Sequence, residues 1–127
     1  GFLVAYLNRR DSHHLWAVDL ARMVSEPLLT CQAVLAEAVF HLGSARAVFQ
    51  AVETGLVRDA FDFSSHFNRL GELARSYEDR NPDMADLCLV CLSESHPRLP
   101  VITVDGDFKV YRRFGRHTIP LIMPEDG

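Results

Sequence analysis

Within the 127-residue chain, residues 101–108 limit the possible folds most tightly. Val101, Ile102, Thr103 and Val104 are four β-branched residues in succession, the pattern of a short strand buried on both faces in a parallel sheet. The run stops at Asp105 and Asp107, which flank Gly106. A parallel strand that ends in acids presents them at the carboxyl edge of its sheet, where open α/β folds hold their ligands. Taken alone, an Asp-Gly-Asp sequence is also an ordinary solvated turn. A calcium loop is excluded, because Arg116 stands where the bidentate Glu of its twelfth position belongs.

The remaining segments alternate between helical and extended patterns. Residues 2–7 are an apolar run that periodicity cannot assign to strand or helix. Asp11 or Ser12 is positioned to cap a helix that carries Trp16, Leu20, Met23 and Val24 at helical spacing. Residues 27–30 read as a strand, with Thr30 as the cap of a following helix. Gly43 ends that helix and Ser44 caps the next, which Gly55 ends. Residues 56–63 alternate as an edge strand, and Ser64 or Ser65 opens a helix that turns Phe67, Leu70, Ala74 and Tyr77 inward. Asn81 and Pro82 read as the cap and first position of another helix, apolar on every side from Leu87 to Leu92. Residues 118–124 close the chain as a proline-bearing edge strand. This alternation predicts an α/β fold with a parallel sheet, as a single domain over residues 1–127.

Two acids besides the pair at the strand end stand in apolar company. Glu37 is flanked by Ala33, Val34, Leu35, Ala36, Ala38, Val39 and Phe40, so it must be paired, metal-bound or left at an exposed helix edge. Asp86 directly precedes the enclosed stretch of its helix, one turn after Asp83, which the helix dipole explains cheaply. If Glu37, Asp86 and Asp105 converge at one sheet edge, with Asp83 or Asp107 beside them, their charges repel unless a cation joins them. Oxygen-only ligation selects Mg2+ or Mn2+ over zinc. Such a site activates water and steadies the oxygens of a phosphodiester displacement.

The charge balance narrows the substrate. A net charge of −4 argues against coating nucleic acid by bulk attraction, although a local basic patch is compatible with it. Lys109, Arg112, Arg113 and Arg116 form such a patch beside the acidic strand end, and Arg112 and Arg113 are the candidate phosphate contacts. The alternative is that these arginines only pair with surface acids such as Glu125 and Asp126. Nucleotide-cradling and hydrolase-elbow signatures are absent. Cys31, Cys88 and Cys91 are too few for a disulfide scaffold and read as small buried hydrophobes in a reducing, cytoplasmic setting. No apolar run approaches the ~18 residues of a membrane span.

Three segments in this order carry a family resemblance. Thr30 to Ala38, with Glu37, is similar to a PIN-domain segment that holds a Glu. Asp83, Met84, Ala85 and Asp86 resemble the family's D-L-A-D helix start. Thr103, Asp105, Asp107, Phe108, Tyr111 and Arg112 fit its T-x-D-x-D-F-x-x-Y-R pattern. The chain thus resembles a PIN domain, the fold of VapC-type toxin ribonucleases.

The resemblance implies a three-layer sandwich with a central parallel sheet flanked by helices, and a short helix over residues 2–7. It also implies a Mg2+- or Mn2+-dependent endoribonuclease, the toxin of a toxin–antitoxin pair. Glu37, Asp86 and Asp105 would be catalytic metal ligands, assisted by Asp107 and Asp83, and Thr103 would orient a ligand or water. Expected partners are an RNA substrate, a cognate antitoxin protein and a second copy in a homodimer. In the family a first strand ending in an acid precedes the segment that matches Gly1 to Ala5. The expectation is therefore a domain trimmed at its N-terminus, because native loss of a central strand would leave a hole down the middle of the sheet. The alternative reading is a catalytically silent PIN-like module that binds RNA or a partner protein.

Overall fold

The computed structural model describes residues 1–125. Its chain runs α1 (Phe2–Leu7), α2 (His14–Met23), β1 (Leu28–Thr30), α3 (Gln32–Leu42), α4 (Ala45–Glu53), β2 (Val57–Asp59), α5 (Phe67–Ser76), α6 (Met84–Ser95), β3 (Val101–Ile102), β4 (Arg112–Arg113), β5 (His117–Thr118) and β6 (Leu121–Ile122). Three single 3-10 turns, Ser64–His66, Glu78–Arg80 and Gly106–Lys109, interrupt the connections. The class is α/β, as the alternating patterns predict.

Local signals explain most helix ends. Gly43 leaves α3 in the left-handed conformation at φ 70°, and Ser44 Oγ accepts the Ala47 N–H to start α4. Residues 2–7 are helical. Other expected caps shift by a residue or more. Asp11 Oδ1 accepts the His13 N–H, and α2 begins after His13. Thr30 belongs to β1, so Cys31 takes the cap position of α3 without a side-chain bond. Asn81 adopts φ 48°, and the cap of α6 is Asp83, whose carboxylate accepts the Asp86 N–H. On α5 the inward residues are Leu70 and Leu73, whereas Phe67 and Ala74 face out.

The helix α6 is the centre of the packing. Ala85, Leu87, Cys88, Val90, Cys91, Leu92 and Ser93 are all buried, because α3, α5 and β4 enclose the helix on different sides. This explains why its sequence has no polar stripe. Cys31, Phe108 and Tyr111 join the same apolar cluster, and all three cysteines are buried free thiols.

The sheet departs from the expected single layer. The described strands form three separate pairs: β1 with β2 parallel, β3 with β6 parallel, and β4 with β5 antiparallel. The expected strand over residues 56–63 is limited to Val57–Asp59, since Asp59 turns the chain by accepting the Phe61 N–H. The expected final strand is split into β5 and β6 around Pro120, which has no N–H to give.

Between β1 and β3 lies an apolar cleft of about 760 Å³, lined by Leu28, Leu29, Thr30, Val101, Ile102 and Thr103 among others. Leu28 donates to Leu56 and Thr30 accepts from Ala60, so both face β2. Val101 and Thr103 donate to Pro120 and Ile122, so both face β6. Backbone groups alternate along a strand. The peptide groups of Leu29 and Ile102 therefore point away from their partners, on the side of the cleft. The two parallel pairs are separated by edges unpaired among the described residues.

Candidate metal centre

Three carboxylates meet beside the end of β3. Asp86, Asp105 and Asp107 each offer an oxygen, and these oxygens lie within 4.8 Å of one another. Each is delivered by a different local device. Asp105 leaves β3 as the cap of the 3-10 turn Gly106–Lys109, and its Oδ1 accepts the Asp107 N–H at 2.9 Å. Thr103 is buried, and its Oγ1 accepts the Asp105 N–H at 3.0 Å, which fixes the strand exit. Asp86 comes from the first turn of α6, where Asp83 Oδ1 accepts its N–H at 2.9 Å.

The electrostatics of the group favour a cation. Burial pushes the Asp86 carboxyl up to about 7, and the Asp83 charge adds to that. The Tyr111 hydroxyl, donating to Asp86 Oδ2 at 3.1 Å, opposes the shift, whereas the charges of Asp105 and Glu37 reinforce it. Two oxygens on opposite sides of one Mg2+ are separated by about 4.2 Å. The trio is thus within side-chain adjustment of ligating a single hard cation, and its all-oxygen donor set suits Mg2+ or Mn2+.

The other expected site residues are placed as follows. Glu37 is exposed on α3 and lies 3.8 Å from His41 Nε2, one turn along the helix. It stands outside the group of oxygens within 4.8 Å, although its charge acts on Asp86. Asp83 is engaged as the α6 cap. Arg112 Nη1 donates to the carbonyls of Lys109, Val110 and Tyr111, tying the end of the 3-10 turn to β4. Arg113 reaches the carboxyl end of α6, where Nη1 donates to Ser93 and Nη2 to the Pro97 carbonyl. Asp126, an alternative partner for these arginines, lies outside the described residues.

Two residues at the site carried no sequence signal of their own. Arg80, in the 3-10 turn ahead of α6, places Nη2 3.4 Å from Asp107 Oδ1. Tyr111 enters the sequence reading only as a motif position, yet its hydroxyl donates to Asp86 Oδ2.

Acids gathered where a strand ends in an α/β domain form a candidate site for a hard cation. The family model for the PIN domain matches residues 1–113, and the chain belongs to that family. PIN domains are generally metal-dependent nucleases. No curated protein matches the chain.

Proposed function

We propose that this chain is the catalytic domain of a Mg2+- or Mn2+-dependent endoribonuclease, of the VapC toxin type, held in check by a small antitoxin protein in the cytoplasm. The observation that carries this reading is the convergence of Asp86, Asp105 and Asp107 oxygens within 4.8 Å on a PIN-family chain. These three residues would hold the cation, and the Glu37 charge acts on Asp86 from α3. A divalent cation there supplies an activated water and a positive charge for the phosphodiester oxygens.

The chain's own residues do the remaining work. Thr103 and the 3-10 turn keep Asp105 and Asp107 at fixed separation. Arg112, whose described hydrogen bonds use Nη1 and the backbone N–H, is the leading phosphate contact, with Arg113 behind it. A protein partner or a second copy would cover exposed apolar side chains such as Phe40 on α3 and Phe49 on α4. No helix of the described residues is long and apolar enough to cross a membrane.

The cleft between β1 and β3 supports a further part of the reading. An additional parallel strand there would pair with Leu29 on one side and Ile102 on the other, and would end near Asp105. An acid at its end would add a ligand to the trio. The test is cleavage of a labelled RNA with Mg2+ or Mn2+ and with a chelator. Metal-dependent cleavage supports the nuclease, whereas RNA or partner binding without cleavage identifies a silent PIN-like module.

A further inference from the structure

We propose that Tyr111 is the positioning residue of the acid cluster, its hydroxyl setting how the Asp86 carboxylate is presented to Asp105 and Asp107. The inference rests on the metal-site reading above.

The terminal torsion of an aspartate is broad, so an unrestrained carboxylate samples many orientations. Among the described residues the Asp86 carboxylate is held through Tyr111, which donates to Oδ2 at 3.1 Å. The donor is itself enclosed. Tyr111 is 1% exposed, and its ring is met edge-on by Tyr77 and by Phe108, each with centroids at 5.2 Å. Tyr77 is anchored in turn, since its hydroxyl accepts the Arg112 N–H at 2.8 Å.

The chemistry of the donor matters as much as its enclosure. A guanidinium in this place would neutralise the charge that a cation needs. A phenol donates one hydrogen bond and leaves the negative charge on the carboxylate. Partners of this kind orient metal-ligating groups, and their loss weakens metal binding by about 10–100-fold.

The experiment is a calorimetric Mn2+ titration of the full chain, unmutated and as Tyr111→Phe, with each also carrying Asp86→Asn. Phenylalanine keeps the ring contacts and removes only the hydroxyl. The expected result is at least about tenfold weaker Mn2+ binding in Tyr111→Phe, with the metal-free melting temperature held within a few degrees. In the Asp86→Asn background the same change has no effect on residual binding. Equal Mn2+ affinity in the unmutated chain and Tyr111→Phe overturns the positioning role and leaves the site reading intact. Absence of Mn2+ binding to the unmutated chain overturns both. Should Tyr111→Phe not fold, the Tyr111 hydroxyl proton resonance decides in the unmutated chain. A shift that saturates with Mg2+ supports the role, and an unmoved resonance overturns it.

Discussion

Arg80 and Asp107 form an ion pair at the rim of the acid cluster, with Nη2 and Oδ1 3.4 Å apart. The same Asp107 carboxylate belongs to the trio that would bind a cation. Guanidinium and metal therefore compete for one group. Both partners are about half exposed, so the pair contributes little, on the order of 1 kcal/mol or less. Arg80→Ala is expected to tighten Mn2+ binding by roughly two- to fivefold at low salt, an effect that fades as salt rises. Titration calorimetry at two ionic strengths measures it, and weaker binding in Arg80→Ala would show that Arg80 supports the site instead.

Asp86 couples stability to pH. Its carboxyl is raised to about 7 in the fold, against about 3.8 for an unperturbed group. The folded chain thus holds this proton more tightly than the unfolded chain. The stabilisation is complete below about pH 3.8 and is lost as pH rises through about 7. In chelator, Asp86→Asn is expected to melt a few degrees above the unmutated chain at pH 8. With Mn2+ added, the unmutated chain gains more stability than Asp86→Asn. Metal affinity should also fall as pH drops below about 7, because binding must then displace the Asp86 proton. Melting curves across pH 5–8, with and without Mn2+, check both signs.

The basic strip separates into two duties. Arg113 holds three acceptors at the carboxyl end of α6. Arg113→Ala is expected to cost about 1.5–3 kcal/mol, the range for hydrogen bonds made by a charged group, read by urea unfolding. Removing Arg112 together with Arg113 is expected to weaken RNA binding and flatten its salt dependence, with metal affinity kept. Each lost phosphate contact lowers the slope of log K against log salt by about 0.7 for a single strand. An unchanged slope would make the strip purely structural.

The cleft gives an exchange signature. The amides of Leu29 and Ile102 have no partner across it within this chain's own parallel pairs, so they should exchange quickly. Residues added ahead of Gly1 that occupy the cleft as a strand should protect both amides together and raise the melting temperature. Protection of neither would mean the cleft does not take a strand.

Much of this architecture is written in local chemistry. The four β-branched residues ahead of Asp105, the Gly43–Ser44 boundary and the all-apolar α6 follow from patterns that need no tertiary information. The caps at Asp83 and His13 lie a residue or more past the expected positions, because proline and polar residues near a helix start fix its neighbourhood, not its first residue. Asp86, Asp105 and Asp107 were legible as acids in costly or terminal positions. Arg80 was not, since an arginine in a polar turn looks like any solvated charge until the fold brings it to Asp107. On α5 the fold buries Leu70 and Leu73 and leaves the expected inward residues Phe67 and Ala74 exposed, because apolar character alone does not fix which face packs.

The most direct test of the metal-nuclease reading is cleavage of a labelled single-stranded RNA by the folded chain, with any strand that fills the cleft in place. Mn2+, chelator, and Asp105→Asn with Mn2+ form the comparison. The amide is nearly isosteric with the carboxylate but brings no charge to the cation. Cleavage with Mn2+ that disappears in chelator and in the correctly folded Asp105→Asn variant is the expected outcome. Cleavage by folded Asp105→Asn at the unmutated rate would contradict the metal mechanism outright.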